Sequence, residues 1–225
     1  MSLQCLITLV SVALFVSIEA QENCANSGSP FAMSDRKGLV DAHNKFRSSN
    51  ARGLEKDGPN GGNAPKASNM YKMSYSCELE AIAQAWANKC LYKHSGHDGL
   101  GENLYTVWPA QNNNSPLQDA PASWWSELVE DGVGQYSEDF TMTDDVFNAG
   151  TGHYTQMAWA RTTEVGCGIS HCRNGRKSQS IVVCNYREQG NYIDEKIYEI
   201  GEPCSNCNEF TGSTCSRAEG LCVKP

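Results

Sequence analysis

Eleven cysteines in 225 residues constrain this chain more than any other feature. An apolar run over residues 6–18 is too short to span a bilayer and ends in Ile18-Glu19-Ala20. It reads as a secretory signal peptide, residues 1–20, cleaved after Ala20. Cys5 leaves with it, and ten cysteines remain. An even number in an exported chain implies a disulfide framework of up to five bridges. Zinc–thiolate chemistry is the competing use, since Cys204-Ser205-Asn206-Cys207 has a zinc-like spacing. Oxidising surroundings favour bridges there. No later stretch could cross a membrane, so the expected protein is secreted and extracellular.

The formal net charge is −8, or −7 once Glu19 is removed with the leader. An acidic chain in which no Lys/Arg cluster stands out argues against nucleic acid and anionic membrane as partners. One glycosylation sequon, Asn113-Asn114-Ser115, is followed directly by Pro116.

Along the chain, Ser34 is placed to cap a first helix with Asp35 in its first turn. Leu39, Val40, His43, Phe46 and Arg47 follow at helical spacing until Gly53. His43 belongs to that packing face and reads as structural. Residues 58–63 are a Gly/Pro/Asn loop. A second helix is expected over about 77–90, with Leu79, Ile82, Ala83 and Trp86 on one face. Its cysteines sit at opposite ends, so each must reach another element. Residues 93–101 form a polar loop holding His94 and His97, which Glu102-Asn103-Leu104 closes. Residues 105–121 read as a long connection, and Pro121 as the first turn of a third helix carrying Trp124, Trp125, Leu128 and Val129. Residues 134–148 read as an acidic loop in which Phe140 and Phe147 look buried. Residues 165–172 and 179–186 are expected strands, joined through Asn174-Gly175, a strong hairpin signal. Composition shifts from Pro203 onward, and a tail with little apolar bulk is expected to be held by bridges rather than by a core. Helices around a late antiparallel hairpin suggest an α+β domain.

Two longer stretches remain: Gly152-His153-Tyr154-Thr155-Gln156-Met157-Ala158-Trp159, and Val182-Val183-Cys184-Asn185-Tyr186-Arg187-Glu188-Gln189-Gly190-Asn191-Tyr192. In this order and separation they resemble the paired signatures of the CAP superfamily: cysteine-rich secretory proteins, insect venom antigens and plant pathogenesis-related proteins. His43-Asn44 resembles a further element of the same family. The resemblance covers roughly residues 34–198 and is strongest toward the nematode activation-associated secreted proteins. It implies a three-layer α-β-α sandwich over residues 21–200, followed by a small Cys-rich extension over 201–225.

The same resemblance implies a cleft of two histidines and two glutamates. His153 matches the Gly-His-Tyr-Thr-Gln motif, Glu102 the acid of Gly-Glu-Asn-Leu, and Glu127 the acid three residues after Trp124. His94 matches a His-Ser four residues beyond Cys90, with His97 as the competing choice. Two neutral imidazoles can hold an exchangeable divalent metal such as zinc, with the glutamates orienting the rings. No obligatory cofactor is implied. The alternative is a hydrogen-bonded His/Glu network without metal. No Gly-x-Ser-x-Gly or His-Glu-x-x-His motif occurs, so a non-enzymatic binding protein is expected, with a zinc-dependent hydrolase as the alternative. Implied partners are a sterol or fatty acid, on a loop containing Trp108 and Leu117, or a host protein or receptor met during parasite–host interaction and immune modulation. The family pattern further implies Cys90–Cys172 and Cys167–Cys184, with Cys204–Cys215 and Cys207–Cys222 in the tail, which leaves Cys24 for Cys77.

Overall fold

The structure is a computed structural model and describes residues 24, 25 and 27–225. The expected signal peptide lies outside the described residues. Helix α1 (Met33–Ala51) opens the fold. It starts one residue before the expected cap Ser34, because the Asp35 carboxylate accepts from the Ala32 N–H at 2.9 Å and fixes the first turn. Strand β1 (Ser74–Tyr75) and helix α2 (Cys77–Ala87) follow. The Ser76 hydroxyl accepts from the Leu79 N–H and caps α2.

Next come strand β2 (Gly101–Val107) and helix α3 (Ser115–Glu130), both unlike the sequence expectation. Residues 101–107 are not a loop closure and a connection but a strand, paired with a neighbour along its whole length. Helix α3 begins six residues earlier than expected, with Pro116 in the first turn, where its missing N–H costs nothing; Pro121 falls inside the helix. Two short helices complete the helical set, α4 (Asp144–Asn148) and α5 (Gly152–Ala158). The first lies in the expected acidic loop, where Phe140 is buried but Phe147 is 55% exposed.

Strands β3 (Glu164–Asn174) and β4 (Lys177–Arg187) form the expected hairpin. The sheet order is β1-β3-β4-β2, with β1 parallel to β3 and the other pairs antiparallel. β4 is one of the two interior strands, with β3, and is buried from Ser180 to Tyr186. Its alternation sorts the layers. Ile181 and Val183 join Ala83, Ala87 and Leu104 under α2. Val182, Cys184 and Tyr186 join Leu39, Leu117, Trp124 and Met157 of α1, α3 and α5 on the opposite face. The result is a three-layer α-β-α sandwich, as expected. α2 lies unusually close to β3. A Cβ at Gly168 would stand 2.4 Å from the Gln84 Cα, and one at Gly166 2.3 Å from the Glu80 nitrogen. Only glycine permits that approach.

All five bridges form with the implied pairing: Cys24–Cys77, Cys90–Cys172, Cys167–Cys184, Cys204–Cys215 and Cys207–Cys222. The tail is not held by bridges alone, as its composition suggested. Its hairpin, β5 (Thr214–Ser216) and β6 (Leu221–Val223), sends Leu221 fully into the main core. Cys222 exchanges backbone hydrogen bonds with Met70 and Lys72, and the Phe210 ring packs edge-on against Tyr71. A single buried leucine and a bridging strand suffice to dock a segment that shows no periodicity.

Candidate functional site

The four residues of the expected cleft come from four different elements. His94 sits on the exposed loop after α2, and Glu102 is the second residue of β2. Glu127 lies in the penultimate turn of α3, and His153 in the first turn of α5. The sequence motif around His153 folds as a helix because Glu127 caps it. Its Oε2 accepts from the backbone N–H groups of His153 and Tyr154, both at 2.9 Å. These are N–H groups that the helix itself leaves unpaired. Gln156, in the same motif, accepts from the Gly190 N–H at 2.9 Å and donates to Thr162, fastening α5 to the second motif.

Two His–carboxylate pairs result. His153 Nδ1 donates to Glu127 Oε1 at 2.5 Å, and its ring stacks on Trp124 with centroids 6.1 Å apart. His94 Nδ1 donates to Glu102 Oε1 at 3.0 Å. An ionised carboxylate only accepts, so both rings carry their proton on Nδ1 and keep the Nε2 lone pair free when neutral. The Glu102 side chain is nearly buried. Burial pushes its carboxyl up, but hydrogen bonds from His94, Ser95 and Asn185 outweigh this and hold it below the usual range. The bond to Glu102 in turn raises His94 above its ordinary value, against the opposing effect of burial.

Neighbouring residues link the two pairs. Asn103, next to Glu102 on β2, donates to the His153 carbonyl at 3.0 Å. Tyr92, on the His94 loop, has its hydroxyl pushed up by burial and by the charge of Glu127. His97, the competing choice, turns away: its Nδ1 donates to the Asp98 carbonyl at 3.0 Å, and it makes no contact with Glu102. His43 is fully buried, with Nδ1 donating to the Leu39 carbonyl and Nε2 accepting from the Tyr186 hydroxyl, a packing role as read.

Sequence reading missed the residues that hold the acids in place. Asn185 reaches Glu102 Oε2 at 3.3 Å from β4, and the Ser95 N–H donates to Oε1 at 2.7 Å. Asn185 stands inside the second motif and Asn103 beside Glu102, so their position in the motifs was the available signal. Leu117 is not on a lipid-binding loop. It belongs to α3 and is wholly buried in the core, because the helix starts before it. Trp108 does stand on the loop and is 55% exposed. Among the described residues, three metal-ligating side chains come within 4.8 Å of one another only at Cys204, Cys207 and Cys222, and all three are consumed in bridges; the two His–Glu pairs form no such group of three.

The chain is similar to known proteins. The profile of the CAP, Cysteine-rich secretory protein family, matches residues 40–186. The chain is 43% identical over 215 residues to the Ancylostoma secreted protein of Ancylostoma caninum, covering 92% of this chain and 48% of that one. It is 37% identical over 170 residues to Cysteine-rich secretory protein 2 of Homo sapiens, covering 71% of this chain and 62% of that one. Among solved structures, Na-ASP-1 superposes with a TM-score of 0.80 at 42% identity, over 89% of this chain and 49% of that one. NaASP2 with Zn2+ superposes with a TM-score of 0.77 at 39% identity, over 87% of this chain and 100% of that one. This chain belongs to the CAP family. It spans about half the length of the first curated relatives it matches.

Proposed function

We propose that this chain is a secreted CAP protein that acts by binding rather than by catalysis, and that His94 and His153 hold an exchangeable divalent cation such as zinc. The observation that carries the reading is the commitment of both Nδ1 atoms to carboxylates, which leaves two Nε2 lone pairs on neighbouring elements. A carboxylate on the far nitrogen fixes the tautomer and raises the basicity of a metal-binding imidazole. A relative with this fold, NaASP2, has a crystal structure with Zn2+. Two protein ligands bind more weakly than three or four, so water completes the shell and the ion exchanges. When bound, zinc supplies a Lewis-acidic centre that can take an oxygen donor from a ligand.

The hydrolase alternative needs a carboxylate free to take a proton from water. Both glutamates are largely committed elsewhere, which disfavours that role. Glu127 spends Oε1 on His153 and Oε2 on two backbone N–H groups, and Glu102 spends its oxygens on His94, Ser95 and Asn185. The binding partner is proposed from the family resemblance: a sterol or fatty acid, or a host protein or receptor in parasite–host interaction. With Leu117 in the core, a lipid site on the loop after β2 rests on Trp108.

Calorimetric titration of zinc into metal-free protein tests the metal site. His94→Ala and His153→Ala each abolish the heat of binding at neutral pH, whereas His97→Ala leaves it intact. Zinc binding that survives loss of His94 but vanishes with His97 sinks the assignment. Turnover of a peptide library by the zinc-loaded protein overturns the non-enzymatic reading.

A further inference from the structure

Three stretches far apart in sequence, residues 81–97, 103–118 and 165–187, contain no aspartate or glutamate, in a chain that carries 26 acidic residues and a net charge of −8. The fold brings them together. Cys90–Cys172 ties the first to the third. Strand β2 pairs with β4, and the loop after β2 then lies along the start of β4. There the Ala110 N–H donates to the Ser178 carbonyl at 3.2 Å, and the Gln111 N–H to Ser180 Oγ at 3.0 Å. At their junction lies a recess of ≈ 270 Å³ lined by Cys90, Trp108, Cys172, Arg173, Lys177 and Gln179. Three cations, Arg173, Arg176 and Lys177, share one turn, and folding adds Trp108 and Cys90 as the other walls.

The cations of its turn are free. Arg173, Arg176 and Lys177 at the β3–β4 turn are exposed, and among the described residues none forms an ion pair or a side-chain hydrogen bond. Lys89 and Lys93, flanking Cys90 in sequence, are also exposed. Elsewhere lysines and arginines such as Lys66, Lys72, Arg161 and Lys196 are paired with carboxylates. Trp108 is 55% exposed, whereas Trp124, Trp125 and Trp159 are at most 2% exposed.

We propose that this recess and the adjoining cationic turn bind a sulfated polysaccharide, with sulfates on Arg173, Arg176 and Lys177 and a sugar ring against Trp108. The guanidinium fork matches a tetrahedral oxyanion in two hydrogen bonds, and lysine adds a point charge. A pyranose presents a flat C–H face suited to an indole and hydroxyls suited to Gln179. A membrane surface fits less well, because Trp108 is a wall of a concavity rather than a protruding wedge. The acidic remainder of the chain repels a polyanion, so binding is confined to this side.

The test is titration of a size-defined heparin hexasaccharide into the full disulfide-bonded protein, at about physiological ionic strength and at raised salt. Saturable binding is expected, with affinity falling log-linearly in salt. The double variant Arg173→Glu/Lys177→Glu weakens it at least about tenfold and flattens the salt slope. Trp108→Ala weakens binding and leaves the slope unchanged. Lys45→Glu, on the outer face of α1, changes neither beyond the general effect of net charge. The turn residues are exposed and unpaired, so the variants keep the wild-type circular dichroism spectrum. Equal binding of an unsulfated oligosaccharide, or indifference to the double charge reversal, overturns the proposal. Tighter binding to phosphatidylserine vesicles than to the hexasaccharide overturns it in favour of a membrane partner.

Discussion

The Arg47 guanidinium, wholly buried on α1, donates to the Met157 carbonyl at 2.7 Å. It also reaches the carbonyls of Tyr71, Trp159, Ala160 and Thr162, and no carboxylate is among its partners. Burial lowers its pKa to about 9, so it stays charged at neutral pH. The charge is dissolved in backbone dipoles rather than in an ion pair. Four of these five carbonyls lie at the end of α5 or just beyond, so Arg47 anchors the helix that presents His153.

Arg47→Lys keeps the charge but supplies three donors where the guanidinium supplies five. Buried carbonyls are then left unpaired, at a cost of about 1–3 kcal/mol each. We expect at least about 3 kcal/mol of lost stability by urea unfolding, together with weakened zinc binding through displaced α5. A variant within about 0.5 kcal/mol of wild type contradicts the anchoring role.

Leu117 and Trp108 separate core from surface. Leu117→Ala removes a side chain with no exposed surface and leaves a cavity under α3, so it costs about 2–5 kcal/mol. Trp108→Ala touches a residue that is 55% exposed, and the loss stays below about 1 kcal/mol. Paired thermal melts check the contrast. A costlier Trp108 variant would mean that this indole holds the loop after β2 in place.

The contrast also shows where the sequence was readable. The β3–β4 hairpin follows from its Asn174-Gly175 turn, whereas the bridge pairing and the matching of histidines with glutamates came from the family resemblance. Strand β2 did not stand out, because Gly101-Glu102-Asn103-Leu104-Tyr105-Thr106-Val107 puts polar groups at inward positions. There Asn103 and Glu102 find partners supplied by other elements. The start of α3 was hidden by Pro116 and three asparagines, and α5 is too short, at seven residues, to show a helical period. The basic recess was hidden for a different reason: Arg173, Arg176 and Lys177 share one short turn, but only the fold sets Trp108 beside them.

His43 links stability to pH. Burial, above all, lowers its pKa to about 4, with the charge of Arg47 acting in the same direction. Below about pH 6.5 the unfolded chain takes up a proton that the folded protein refuses until about pH 4. The unfolded state therefore binds more protons in that window, and stability falls as pH falls through it, by up to about 3 kcal/mol. In His43→Gln, which cannot titrate, this part of the slope disappears. Urea midpoints between pH 7 and 4 measure it, and identical slopes in the two proteins would refute the assignment.

Zinc binding has its own pH signature, set by Glu102. His94 must be neutral to ligate, and its bond to Glu102 raises its pKa above the ordinary value. Protons therefore compete with zinc from a pH above about 6.5, and affinity falls as pH falls through that raised value. Glu102→Gln acts in two opposed ways. It removes the charge that raises His94, so the loss of zinc sets in at lower pH than in the wild type. It also makes the imidazole a poorer donor, so affinity on the alkaline plateau drops about 10–100-fold. Glu127→Gln lowers the plateau similarly, because His153 Nδ1 and two N–H groups of α5 lose an ionised partner. Calorimetric zinc titrations of wild type and both variants from pH 5 to 8 resolve midpoint and plateau separately. An unchanged midpoint in Glu102→Gln would uncouple His94 from the metal, and an unchanged plateau would leave the glutamates as ties between layers.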